Sequence, residues 1–86
     1  HADENAPDRL NILGCRVDEG LAEADRFIDR ARLEGFSFVT VIHGLGTGAL
    51  KKAVTDFLKN HPLIASTRPG EAAEGGAGVT VAELKK

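Results

Sequence analysis

The sequence holds a single cysteine, so no disulfide can form within the chain. Cys15 stands alone, and a reducing cytoplasm is the expected compartment. No apolar run approaches the roughly 18–20 residues that cross a bilayer, and no signal peptide is visible, so no membrane partner is expected. There is no internal repeat and no coiled-coil heptad. At 86 residues there is too little chain for two cores, which leaves one small domain. The chain begins at His1 without Met, and so reads as a piece of a longer protein or as one carrying a tag remnant. A strong charge of either sign is also lacking. The net charge of −2 argues weakly against tight nucleic-acid binding, but its distribution is uneven. Residues 1–35 carry net −4, residues 36–69 net +3 from Lys51, Lys52, Lys59 and Arg68 against Asp56, and residues 70–86 net −1. A local basic patch can attract a polyanion even on an acidic domain; the plainer reading is an unevenly charged solvated surface.

What is present has a clear order. Residues 1–8, HADENAPD, show no periodicity and read as a disordered lead-in to a single domain over 9–86. RLNIL at 9–13 reads as a buried strand ended by Gly14. Val17, Leu21, Ala24, Ile28 and Ala31 then follow helical spacing, with Asp18 and Glu19 suited to the first turn, Arg30 and Arg32 to the last, and Gly35 as the stop. FSFVTVI at 36–42 is β-branched and aromatic, a second and central strand, so a βαβ unit with a parallel pair is expected. Leu50, Val54, Phe57 and Leu58 mark a second helix that closes before Pro62. LIASTR at 63–68 is a third strand, 69–78 a flexible glycine-rich connection, and VTVAEL at 79–84 a fourth, alternating strand. The fold class is therefore α/β (α+β): a two-layer sandwich with a four-stranded mixed sheet in βαβαββ order and both helices on one face. Leu10, Ile12, Leu21, Ile28, Phe38, Val41, Val54, Phe57, Ile64, Val79 and Val81 are the expected core.

The segment VIHGLGTGALKK at 41–52 carries the chemistry. It leaves a strand and opens a helix, where unpaired N–H groups and the helix dipole favour an anion. Gly44, Gly46 and Gly48 let the backbone approach a phosphate, Thr47 can cap or donate, and Lys51 and Lys52 lie about one turn further in. The Walker A pattern is absent, and GLGTGA has Ala49 where the dinucleotide fingerprint needs its third glycine. Glycine spacing alone is equally served by a tight turn. His43 stands at the C-terminal end of a parallel strand, where open α/β sheets place ligands, and could donate to a phosphate or carry a proton; alternatively it merely caps the strand. No His/Cys/Asp cluster has metal-ligand spacing. Cys15 precedes a helix but lacks a histidine partner in the sequence, and is expected to be a packed residue.

His43-Gly44-Leu45-Gly46-Thr47-Gly48 and Gly75-Gly76-Ala77-Gly78-Val79-Thr80-Val81 resemble two marks of the small MutS-related (Smr) domain, H-G-x-G-T-G and G-G-x-G-[VA]-T-V. That domain is found at the C-terminus of the bacterial MutS class not devoted to mismatch repair, and the resemblance runs over about residues 9–84. The family's leading L-D-x-[HR]-G departs here, with Asn11 for its Asp and Leu13 for its His or Arg. Those two positions are linked to the DNA nicking associated with the family, and Arg16 is a nearby cation. The resemblance implies a nucleic-acid-binding, DNA-nicking endonuclease domain, the C-terminal part of a larger, dimeric MutS-like ATPase acting on recombination intermediates in DNA repair. Its site would use His43, Gly44, Gly46 and Thr47 for catalysis and Gly48, Lys51, Lys52, Lys59, Arg68 and Arg16 to hold nucleic acid. DNA, branched DNA included, is the implied partner. No firmly bound cofactor is expected, and a divalent metal, Mg or Mn, would serve the nuclease reaction. The family's likeness in topology to an RNA-binding initiation-factor domain, and its link to ribosome rescue, support the alternative of a non-catalytic DNA- or ribosomal-RNA-binding module, which the loss of Asp and of His or Arg favours. A small nucleotide-binding domain would rest on the loop alone.

Overall fold

A computed structural model describes residues 8–85. The elements are β1 (Arg9–Asn11), α1 (Val17–Leu33), β2 (Phe38–Ile42), α2 (Ala49–Lys59), β3 (Ile64–Pro69) and β4 (Val79–Leu84), with two single 3₁₀ turns, Ala72–Glu74 and Gly76–Gly78, before the last strand. The sheet order is β1-β2-β4-β3. β1 and β2 run parallel, and β4 is antiparallel to both β2 and β3, so the sheet is mixed as expected and β2 is interior. Most of the expected lead-in, residues 1–7, lies outside the described residues; the Asp8 carbonyl accepts from the Thr40 amide at 2.9 Å.

α1 begins where the Glu19 carboxylate accepts the Arg16 amide (3.1 Å). It ends on paired bonds from Gly35 to the Arg32 carbonyl and from Phe36 to the Ala31 carbonyl, the glycine-terminated stop its sequence predicts. Its buried face is Gly20, Ala24, Phe27, Ile28 and Ala31. Val17, expected on that face, is 39% exposed, and Gly20 takes the close crossing instead: a Cβ there would stand 3.0 Å from Leu50 of α2 and 3.3 Å from Ile12. Ile12, Phe27, Ile28, Val39, Val41, Val54, Leu58, Ile64, Ala82 and Leu84 form one core between the helices and one side of the sheet.

Three expectations need correction. Phe38 is not core but 53% exposed. Strand alternation turns Val39 and Val41 to the helices and therefore Phe38 to the other side, opposite Glu83. β4 does not alternate between buried and exposed, because both its sides are covered. Val81 lies among Phe38, Ser66, Arg68 and Glu83, and Val79 lies under the chain that precedes the strand. That chain is no loose connection. Gly70 and Gly75 press so closely on Val79 that a Cβ on either would displace it. The Arg68 guanidinium grips the Glu74 carboxylate at 2.8 and 2.9 Å, and the Glu71 carbonyl accepts from the amides of Glu74 and Gly76.

Candidate functional site

The sheet ends where β1 and β2 finish and β4 begins, and at that edge two distant segments lock together. The Gly78 carbonyl accepts from the amides of both His43 (3.1 Å) and Gly44 (2.8 Å). The His43 ring turns inward beneath the loop and is 4% exposed. Its Nδ1 lies 2.8 Å from the Gly44 carbonyl, which can only accept, so Nδ1 carries the hydrogen. In the neutral ring Nε2 is then bare and accepts from the Thr80 hydroxyl at 2.8 Å. Thr80 uses its hydrogen in that bond, so the contact at 3.5 Å from Thr55 is one in which Thr55 donates. Each buried polar atom finds a partner, as burial demands. His43 stands at the C-terminal edge, as read from the sequence, yet both ring nitrogens face protein.

Above this support the loop turns outward. Gly44 has φ +74°, and a Cβ there would lie 2.5 Å from Leu13 Cδ2. Leu13, at the position where the resemblance implies His or Arg, therefore sits against the loop. Leu13 and Leu45 are 53% and 61% exposed, an apolar lip that the sequence reading passed over, since a leucine at a strand end reads as core. Gly48, at φ +87°, sits immediately before α2 and supplies no side-chain cap, and the first turn holds no acidic residue. α1 differs: Asp18 and Glu19 occupy its first turn. The positive end of α2 is thus left uncompensated. Among the described residues the amides of Leu45, Gly46, Thr47, Leu50 and Lys51 have no acceptor, while Gly48 bonds to the Leu45 carbonyl and Ala49 reaches the exposed Thr47 hydroxyl at 3.4 Å.

The other candidate residues divide. Lys51 is half-buried and has no ion pair among the described residues, whereas Lys52 meets Asp56 at 3.3 Å, a pair exposed enough to open at little cost. Arg16 is exposed after β1, at the same sheet edge, with its amide but not its guanidinium engaged among the described residues. Lys59 closes α2 at the far end, roughly 16 Å along the axis from Gly48, a distance the residue count alone implies. Arg68 is on the open side of the sheet, beside Val81, and is occupied by Glu74. That pairing, with the Glu71 amide bond added, holds the Glu74 carboxyl down at about 2. Asn11 turns its Oδ1 to the Leu13 amide (2.9 Å). Cys15 is a half-buried residue packed on the core. Thr80, the residue that orients His43, was missed in the sequence. Its signal there was its place as the threonine of the G-G-x-G-V-T-V mark, a hydroxyl between two valines on what proves to be the helix-facing side.

Comparison with known proteins bears on this geometry. The Smr domain profile matches residues 10–85. Endonuclease MutS2 of Listeria innocua is 45% identical over 84 residues, 98% of this chain and 11% of that protein. The putative endonuclease MutS2 of Bacillus subtilis is 51% identical over 76 residues, 88% of this chain and 10% of that protein. The chain thus spans about a tenth of the length of these relatives. The crystal structure of the Smr domain of Thermus thermophilus MutS2 superposes with a TM-score of 0.86 at 36% identity, covering 90% of this chain and 96% of that one. YdaL, a stand-alone small MutS-related protein from Escherichia coli, shares the fold at a TM-score of 0.88 and 24% identity, covering 95% of this chain and 67% of that one. With its H-G-x-G-T-G loop bonded to its G-G-x-G-V-T-V strand in this two-helix, four-stranded fold, the chain belongs to the Smr domain family.

Proposed function

We propose that this domain binds nucleic acid by taking a backbone phosphate onto the Gly44–Lys52 segment. The observation that carries the reading is the uncompensated N-terminus of α2: five amides without an acceptor among the described residues, no acid in the first turn, and Lys51 and Lys52 beside it. Gly44, Gly46, Thr47 and Gly48 shape the cradle, and Arg16 adds a cation from the neighbouring strand end. His43 acts from below, fixing the Gly44 carbonyl and so the orientation of the loop. DNA is the proposed substrate class, branched DNA included, with RNA or the ribosome as the alternative partner. Lys59 and Arg68 do not enter this interface.

Nicking is the second reading, supported by the name endonuclease carried by the relatives. Hydrolysis of a phosphodiester needs an activated water, stabilisation of the charge developing on the phosphate, and a proton for the leaving oxygen. The loop amides and lysines serve the second need. His43 can carry a proton only after releasing Thr80 or Gly44, and neither Asn11 nor Leu13 is a base. Among the described residues no group of three or more His, Cys, Asp or Glu side chains could hold a metal ion, so a divalent ion serving the reaction would need ligands from the nucleic acid and water as well. Membership in a dimeric MutS-like ATPase working on recombination intermediates is proposed on the same resemblance.

The test is oligonucleotide binding over a salt series, run beside nicking of supercoiled plasmid with and without Mg or Mn. If Lys51, Lys52 and Arg16 each displace a counterion from duplex DNA, log K falls against log salt with a slope of about −2 to −3. Absence of binding at low salt to both DNA and RNA refutes the interface. Binding without cleavage, in wild type and in the Asn11→Asp/Leu13→Arg protein alike, leaves the binding module as the function.

A further inference from the structure

A cavity lies away from the loop, toward the C-terminal end of α2. It is an open groove of about 840 Å³ between the outer faces of α1 and α2. Leu21, Ala53, Phe57 and Leu63 supply its apolar lining. Asp25 and Asp29 line it from α1, and Asp56, already paired with Lys52, lines it from α2; among the described residues no lysine or arginine lines it. The two α1 carboxylates, Asp25 and Asp29, repel a polyanion, so this is not an extension of the phosphate cradle. Asp25 and Asp29 are one helical turn apart, where like charges repel. Asp29 has no hydrogen-bond or ion-pair partner among the described residues. A cation placed in the groove relieves that repulsion.

The groove is also held in shape. His61 is buried at its end, with Nδ1 accepting the Leu63 amide at 3.1 Å. Its hydrogen is therefore on Nε2, which donates to Asp25 Oδ1 at 2.9 Å and fixes that wall. Phe57 meets the same imidazole edge-on, with ring centroids 5.3 Å apart. A wall already ordered loses little freedom when a ligand arrives.

We infer that the α1–α2 groove is a docking site for a cationic amphipathic helix from a protein partner. Such a helix would continue the helical layer, with apolar residues one turn apart resting on Leu21, Phe57 and Leu63 and lysine or arginine meeting the aspartates. The opposite charges of the groove and the loop allow both to be occupied together. This inference does not depend on what the loop binds.

The test uses a fluorescent peptide of about four helical turns, with leucines along one face and lysines flanking them. A second peptide of the same composition is shuffled so that the leucines are spread around the helix. Anisotropy should show the amphipathic peptide binding at least about ten-fold more tightly than the shuffled one. Asp29→Lys, an exposed change whose folding circular dichroism verifies, should remove that advantage. Amide shifts in NMR spectra should centre on Leu21, Phe57 and Leu63. Equal binding of the two peptides, an unaffected Asp29→Lys protein, or shifts centred on the Gly44–Lys52 loop would each overturn the inference. Self-association of the domain that Asp29→Lys abolishes would also overturn it, by giving the groove to a second copy of this chain.

Discussion

Replacing Thr80 with valine tests the support under the loop. The two side chains have nearly the same shape, so the change removes one hydroxyl and little volume. His43 Nε2, 2.8 Å away in a site that is 4% exposed, then loses its donor. Loss of a buried hydrogen bond that leaves one partner unsatisfied costs about 1–3 kcal/mol. The added methyl recovers part of this, being worth under about 1 kcal/mol when buried. A net destabilisation of about 1–2 kcal/mol is expected. For a chain this short the urea m-value lies near 1 kcal/mol per M, so the midpoint should fall by about 1–2 M. The same protein should show its effect in ¹⁵N spectra of the imidazole. Wild type should display the Nδ1–H tautomer, with an unprotonated Nε2 whose shift reports the Thr80 hydroxyl bond. In Thr80→Val that shift should move toward a free nitrogen while Nδ1 keeps its bond to Gly44. An unchanged midpoint together with an unchanged Nε2 signal would refute the geometry on which His43's positioning role rests.

Further outcomes follow from the same contacts. Lys51→Ala should lower the salt slope of nucleic-acid binding by about one unit, whereas Lys59→Ala, at the other end of α2, should leave slope and affinity unchanged; equal effects would mean a broad electrostatic surface. The Glu74 carboxyl is held below its unfolded value of 4.5, at about 2, so its contribution to stability is present above pH 4.5 and is lost as pH falls toward 2. Glu74→Gln should therefore flatten the acid limb of a stability-versus-pH curve in that window and speed amide exchange in residues 70–78; identical limbs would count against the Arg68 pairing. Asn11→Asp with Leu13→Arg should raise plasmid nicking, because Leu13 already touches Gly44. No gain, in a protein that still binds, would place any cleavage chemistry elsewhere. Cys15→Ser, at a half-buried position, should leave binding and nicking unaltered, and loss of nicking in a folded protein would mean that the thiol takes part in the chemistry.

Local pattern and motif determined much of this protein in advance. Helical spacing and Gly35 set α1, Pro62 limited α2, and β-branched FSFVTVI became the interior strand, because these signals act over a few residues of backbone. The glycine loop at a strand–helix junction was likewise legible, and so was the Smr family, since two motifs stand intact in the chain. Tertiary structure decided what no local signal could. Phe38 reads as core until strand register shows which side of the sheet the helices cover. Arg68 counts as a free cation until the chain after β3 folds back and brings Glu74 to it. The glycine-rich connection looks loose until Gly70 and Gly75 close on Val79. Above all, His43 reads as a reactive group at a strand end, and only the pairing of β2 with β4 sets Thr80, 37 residues away, against its ring. A histidine's role depends on what meets its two nitrogens, and here both partners are fixed by how distant strands pack.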